Sequence, residues 1–254
     1  MRHVTVKDVV LGQGRPKVIV PLTGATEEEL LAQARALAEQ PVDVVEWRVD
    51  LLDGAADTAA VARAAGSVRA AVGGRPLLVS VRTAGQGGRL AVDDGAYGDL
   101  LQVLLATGAA DLVDVEAERD AAVRRLLLAA ARDAGAAVVM SHHDFRATLA
   151  EDEIVGRLRD MQDQGADVTK VAVMPHGPGD VLTLLQAAWT MRSRYADRPL
   201  IAIAMDRVGL VSRLAGGVFG SAATFATVGV ASAPGQAPLA EVRAVLELLH
   251  GLGD

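Results

Sequence analysis

Cysteine is absent from the 254 residues, which excludes disulfides and thiolate chemistry. Aromatic side chains make up only 3% while 51% of the chain is hydrophobic, so a core has to be built from Ala, Val and Leu. No stretch approaches the roughly 18 consecutive apolar residues that mark a membrane-spanning helix. The opening Met1-Arg2-His3-Val4-Thr5-Val6-Lys7-Asp8 lacks the apolar heart of a signal peptide. A cytoplasmic protein without a membrane partner is the expectation. Positive charge is in deficit, with 25 Lys and Arg against 32 Asp and Glu and a net charge of −7. That argues against nucleic acid as a partner. An anionic ligand would need a local cluster of arginines.

What is present is alternation. Short β-rich runs lie at Lys17–Leu22, Val42–Val49, Leu77–Thr83, Leu112–Glu116, Ala136–His142, Val168–Met174, Leu200–Met205 and Ala223–Val228. Segments of helical spacing separate them, such as Thr26–Glu39 and Leu149–Gln164. Thr26 with Glu29, and Thr148 with Glu151, have the spacing of a capping box. Gly135 and Gly165 stop helices just before a strand. About eight strands, each followed by a helix, predict a closed (β/α)8 TIM barrel in one domain over residues 1–254. Val4–Leu11 reads as a hairpin closing the barrel floor.

The strands also carry a polar parity. Glu46, Arg48 and Asp50 alternate with Val45, Trp47 and Val49; Ser80 and Arg82 alternate with Val79 and Val81; Asp114 and Glu116 alternate with Val113 and Val115. Side chains alternate across a strand. In an antiparallel sheet the polar set would face solvent, but strands joined by helical crossovers are covered on their outer face. The polar set then points into the barrel, near the C-terminal mouth where such folds hold their sites.

Lys170 stands within the apolar run Ala166-Asp167-Val168-Thr169-Lys170-Val171-Ala172-Val173-Met174. A buried ammonium must be paired or lose its proton, and a lysine of lowered pKa attacks carbonyls to give a Schiff base. A structural ion pair is the alternative. The same parity turns Ser141 and His143 inward if Val139 faces inward, which would put a general base and acid at the end of a strand. His142 and His143 point to opposite faces, so they do not share a metal ion, and none is expected. Arg213, near a helix start, suits a carboxylate or phosphate. Ala231-Ser232-Ala233-Pro234-Gly235-Gln236 reads as a lid loop with Ser232 and Gln236 as polar fingers, or as an ordinary turn.

Together, Glu46-Trp47-Arg48-Val49-Asp50, Ser141-His142-His143-Asp144-Phe145, Lys170-Val171-Ala172-Val173-Met174-Pro175, Ser212-Arg213-Leu214-Ala215-Gly216 and Ser232-Ala233-Pro234-Gly235-Gln236 resemble the type I 3-dehydroquinate dehydratases, in family order over nearly the whole chain. The resemblance implies a homodimeric barrel without metal or organic cofactor. Its substrate would be 3-dehydroquinate, dehydrated to 3-dehydroshikimate in the shikimate route to aromatic amino acids. Lys170 then matches the Schiff-base lysine and His143 the catalytic histidine. Glu46 matches an acid that positions His143 and contacts substrate hydroxyls. Arg48 and Arg82 match hydroxyl-binding arginines, Arg213 the carboxylate clamp, Ser232 and Gln236 lid contacts, and Met205 an apolar wall.

The chain departs from the family pattern in three places. Gln86 stands where an acid is usual, which puts a charge role for its loop in doubt. His142 stands where asparagine is common and should face away from the pocket. Asp206-Arg207-Val208 replaces small or polar residues. Two other readings remain at this point: a class I Schiff-base aldolase on the same barrel, and a non-catalytic binder of related acids.

Overall fold

The computed structural model describes residues 2–229 and 231–251. Two short strands come first, β1 (Val4–Val6) and β2 (Val9–Leu11), antiparallel with Val6 opposite Val9. A regular alternation follows: β3 (Lys17–Leu22), α1 (Glu27–Ala36), β4 (Val44–Arg48), α2 (Thr58–Val72), β5 (Leu77–Ser80), α3 (Asp94–Ala106), β6 (Leu112–Glu116), α4 (Ala121–Asp133), β7 (Ala137–Asp144), α5 (Glu151–Asp163), β8 (Val168–Val173), α6 (Pro178–Arg194), β9 (Leu200–Ala204), α7 (Leu210–Ala215), β10 (Ala223–Thr227), β11 (Ala237–Pro238) and α8 (Leu239–His250). From β3 to β9 each strand pairs in parallel with the next, and β10 returns to pair with β3. The circle closes between β9 and β10, where Leu200 bridges Ser221 and accepts a 2.7 Å hydrogen bond from Ala222. This is the (β/α)8 barrel the alternation predicts.

Local chemistry sets the helix starts. The Thr26 hydroxyl accepts from the Glu29 N–H at 3.2 Å, and the Glu29 carboxylate accepts from Ala25 at 2.7 Å, close to the expected capping box. Asp57, Asp93 and Asp120 cap α2, α3 and α4 in the same way. The expected cap at Thr148 does not form. That helix begins two residues later, with Ala150 as N-cap, and the Glu153 carboxylate takes the Ala150 N–H. The Thr148 hydroxyl donates instead to the Met174 carbonyl at 3.1 Å, tying the loop to the end of β8. Gly135 and Gly165 end their helices at φ +70° and +97°, in the left-handed region where glycine is favoured.

The alternation in the strands separates two apolar layers. Val45, Trp47, Val79, Val113 and Val138 lie in a cluster with the helix residues Leu30, Val61, Leu101 and Leu127. The opposite parity forms the barrel interior, where Ile19, Val44, Leu78, Leu112, Val139, Val168, Ile201 and Ala223 pack together. Val6, Val9 and Leu11 join that interior cluster. The hairpin of β1 and β2 therefore plugs the N-terminal end of the barrel, as expected. Aliphatic side chains dominate both layers, and the scarce aromatics Trp47 and Tyr97 are fully buried among them.

Candidate active site

Two or four residues further along the same inward stripes, the side chains become polar. Val44 is followed by Glu46 and Arg48, Leu78 by Ser80 and Arg82, Leu112 by Asp114 and Glu116, Val139 by Ser141 and His143, and Val168 by Lys170. The parity read from sequence thus runs from floor to mouth without a break. At the mouth, Glu46, Arg48, Arg82, Gln86, His143, Lys170, Met205, Arg213, Ser232 and Gln236 line one cleft, with Phe145 and Phe225 among its apolar walls. The nine residues singled out as a site all border this cleft. Gln86 borders it as well.

Lys170 is 4% exposed. Its Nζ donates to Asp114 Oδ2 at 3.2 Å and sits 4.7 Å from the centre of the Phe225 ring. Burial pushes its pKa below the ordinary lysine value, and the Arg82 charge adds to this, against the opposing pull of Asp114. Asp114 is shared. It also accepts from Ser141 Oγ at 2.6 Å and pairs with Arg82 at 2.9 Å. Burial pushes its carboxyl up, but Arg82 and Lys170 outweigh burial and hold it low. Since Arg82 already neutralises much of Asp114, the lysine is anchored without being fully compensated. Asp114 was marked in sequence only by its parity, and its role as the Lys170 partner emerges from the fold.

Arg82 is committed to the protein, bonding Glu116 at 3.1 Å and Ser141 at 3.0 Å besides Asp114. Arg48 forms a fork on Asp50, with Nε and NH2 each 2.8 Å from a carboxylate oxygen. Glu46 accepts from Ser80 Oγ at 2.8 Å. Arg213 differs from these arginines. It is 2% exposed, donates to the Pro234 carbonyl at 3.0 Å, and its Nε has no partner among the described residues. Burial lowers its pKa to about 10, with no carboxylate to oppose it. This buried guanidinium therefore keeps donor capacity that the described residues do not use.

His143 was expected to be positioned by Glu46. The described hydrogen bonds of its ring and backbone go to Gln86 instead: Oε1 of the amide lies 3.1 Å from Nδ1 and accepts the His143 backbone N–H at 3.0 Å. Glu46 lines the same cleft, turned to Ser80. The reason is register. Gln86 ends the short turn Ala84–Gln86 after β5, and Gly87 at φ +81° brings that turn against Phe145, just beyond His143. Burial holds His143 well below the ordinary histidine value, followed by the charges of Arg82, Lys170, Arg48 and His142. It is therefore neutral near pH 7 and able to accept a proton. His142, as expected, points away from the cleft and contacts Glu118.

The loop that carries Ser232 and Gln236 lies against the mouth. Gln236 Oε1 accepts from the Ser232 N–H at 2.9 Å and Gln236 Nε2 donates to Ser232 Oγ at 3.0 Å. Gly235 has φ +74°, and a Cβ there would lie 2.1 Å from the Asp206 carbonyl oxygen. Only glycine lets the loop sit this closely on the Asp206 turn, where Asp206 itself has φ +58°. Of the departing residues Asp206-Arg207-Val208, Asp206 thus seats the loop that carries Ser232 and Gln236.

Comparison with known proteins agrees with this geometry. The family model described as type I 3-dehydroquinase matches residues 18–253. A 3-dehydroquinate dehydratase of Bacillus subtilis (strain 168) is 45% identical over 250 residues, covering 98% of this chain and 98% of that protein. One of Salmonella typhimurium (strain LT2) is 46% identical, covering 98% and 99%. Among solved structures, the type I 3-dehydroquinate dehydratase of Clostridium difficile with covalent modified comenic acid superposes with a TM-score of 0.95 at 38% identity, covering 98% of each chain.

Proposed function

The chain belongs to the type I 3-dehydroquinase family, and from that premise we propose that it dehydrates 3-dehydroquinate to 3-dehydroshikimate through a Schiff base on Lys170, in the shikimate route to aromatic amino acids. The observation that carries the mechanism is the Lys170 amine, buried in the cleft with a lowered pKa and faced by a neutral histidine.

The neutral Lys170 Nζ adds to the C3 ketone, and the carbinolamine hydroxyl, with one proton taken up from solvent, leaves as water to give the protonated imine. The imine draws electron density from C2. His143 Nε2 takes the C2 proton, and the C–H electron pair moves into the imine to give an enamine. The enamine then expels the C1 hydroxyl, which leaves as water with the proton held by His143. A second double bond forms, in conjugation with the imine. Hydrolysis restores the neutral lysine, returns the solvent proton and consumes the water released at the start, so the net change is the loss of one water. The proton relay is typically worth about 10²–10⁴-fold in rate. The imine supplies the electron sink, so the sequence calls on no metal or organic cofactor.

Arg213 would hold the substrate carboxylate, since its guanidinium is buried with donor capacity unused by the protein. Arg48, Arg82 and Glu46 would meet the ring hydroxyls, Met205 would wall the apolar side, and Ser232 and Gln236 would close over the ligand. The same reading includes a cytoplasmic homodimer. Leu182 and Trp189 of α6 are exposed apolar side chains that an interface between two copies would cover. Among the described residues no helix is long and apolar enough to cross a membrane.

Product analysis tests the reaction. Incubation with 3-dehydroquinate should yield one product lighter by a single water. Two carbon fragments would mark retro-aldol cleavage and place the protein with the Schiff-base aldolases; unchanged substrate would indicate a binding role.

A further inference from the structure

Gln86 is not the end of the chain of contacts behind His143. Its Nε2 donates to Glu118 Oε2. The other oxygen of Glu118 contacts His142 Nδ1 and accepts from Arg157 at 3.1 Å. We propose that Glu118 is a positioning residue for His143, supplying through the Gln86 amide the negative charge that Gln86 itself lacks.

The orientation of the amide follows from its neighbours. The backbone N–H of His143 can only donate, so the atom it meets must be the Gln86 oxygen. An ionised carboxylate can only accept, so the atom that meets Glu118 must be the Gln86 nitrogen. With Oε1 fixed beside His143 Nδ1, that ring nitrogen must carry the proton, and Nε2 is left as the base. The carboxylate of Glu118 polarises the amide toward a more negative oxygen, which favours the imidazolium formed when His143 takes a proton. Glu118 is suited to hold charge. Burial pushes its carboxyl up, but the hydrogen bond and charge of His142, with Arg157, outweigh burial and keep it below the ordinary value. His142 and His143 are consecutive on β7 and point to opposite sides, so the path from Glu118 through Gln86 runs around the strand and links the two histidines.

The groups that face His143 make the charge consequential. Arg48 of β4, Arg82 beyond β5, Lys170 of β8 and the adjacent His142 all oppose its protonation. Glu46 and Arg213 share the cleft, and Glu46 is occupied by Ser80. Among the described residues, Glu118 is the carboxylate joined to the ring through hydrogen bonds. Its side chain is 41% exposed, so Glu118→Gln removes the charge, keeps an acceptor for its neighbours and does not threaten the fold.

This inference rests on the dehydratase reading, and one set of measurements separates the two. kcat, KM and the pH dependence of kcat are measured for wild type, E118Q, Q86E and the double variant, with borohydride trapping of the Lys170 imine in each. In the Gln86 background, E118Q should lower kcat about 3- to 30-fold, a fraction of the roughly 10²–10⁴-fold attributed to a general base. KM and imine trapping should stay unchanged, and the acid limb of kcat should move to lower pH. In the Q86E background, where a carboxylate touches His143 directly, the same substitution should change kcat less than about twofold. Unchanged kcat and pH profile in E118Q, or equal losses in both backgrounds, would overturn the proposal while leaving the Schiff-base reading intact. Absence of both imine and turnover in the wild type would overturn the two together. If Q86E does not fold, the pH profile of E118Q decides alone.

Discussion

The two ends of the barrel interior are made from the same strands and the same side-chain parity, yet they do opposite things. At the floor, Leu78, Leu112, Val139 and Val168 pack on the hairpin residues Val6, Val9 and Leu11. A few residues along the same stripes, Arg82, Asp114, Ser141 and Lys170 crowd ionic and polar groups into a space almost as dry. The floor gains free energy from apolar burial at roughly 25 cal/mol per Å². The mouth must hold charges out of water, with Arg82 and Asp114 offsetting one another while Lys170, Arg213 and His143 are shifted toward their neutral forms. The lesson is a division of labour along each strand: its beginning holds the fold together, and its end holds the buried charge that chemistry uses.

Substitutions can break that contrast. The largest effect on activity is expected at Lys170. Lys170→Met should abolish imine formation and turnover, yet leave the melting temperature equal or higher. It removes a buried cation whose partner Asp114 keeps Arg82 at 2.9 Å. A melting point that falls sharply would show that Lys170 is part of the structural ion network, as the alternative reading holds.

His143→Ala comes next. The imine should still form and be trapped by borohydride, while kcat drops by about 10²–10⁴-fold. A variant with neither imine nor turnover would show that the histidine acts before proton transfer.

Leu112→Ala at the floor should do the reverse of the lysine variant. It is 2% exposed, and truncation of such a side chain typically costs about 2–5 kcal/mol. Denaturant unfolding should show that loss, with kcat per folded molecule unchanged. A large fall in kcat would mean that the two ends are mechanically coupled.

The smallest effect is one of pH. With the imine in place, kcat requires His143 neutral. Histidine is protonated below its pKa, and here that pKa is lowered well below 6.5. The acid limb of kcat should therefore lie below pH 6.5. The corresponding limb of kcat/KM reports the unbound enzyme, in which Lys170 must lose its proton; it should lie below the ordinary lysine value of 10.5. A kcat limb above pH 6.5 would show that the cations around His143 do not govern it.

Much of this was legible in the sequence because a strand has a period. The inward set from Glu46 to His143 followed from alternation, the burial of Lys170 from the apolar run around it, and the barrel from strands spaced by helices. Boundaries shifted modestly: Val42–Val49 became Val44–Arg48, and the strand expected to end at His142 runs on to Asp144. What escaped was carried by loops, which have no period. The partner of His143 is Gln86 in a three-residue turn rather than Glu46 in a strand, and the cap of α5 lies at Ala150 rather than Thr148. Glu118, beyond the end of β6, gave no signal at all until the fold brought it beside Gln86 and His142.

The central claim is a covalent one, and borohydride reduction in the presence of 3-dehydroquinate, followed by peptide mass mapping, tests it most directly. The account predicts a reduced adduct on the peptide containing Lys170. An adduct on Lys7 or Lys17, which lie at the floor end of the barrel, or turnover without any adduct, would contradict it.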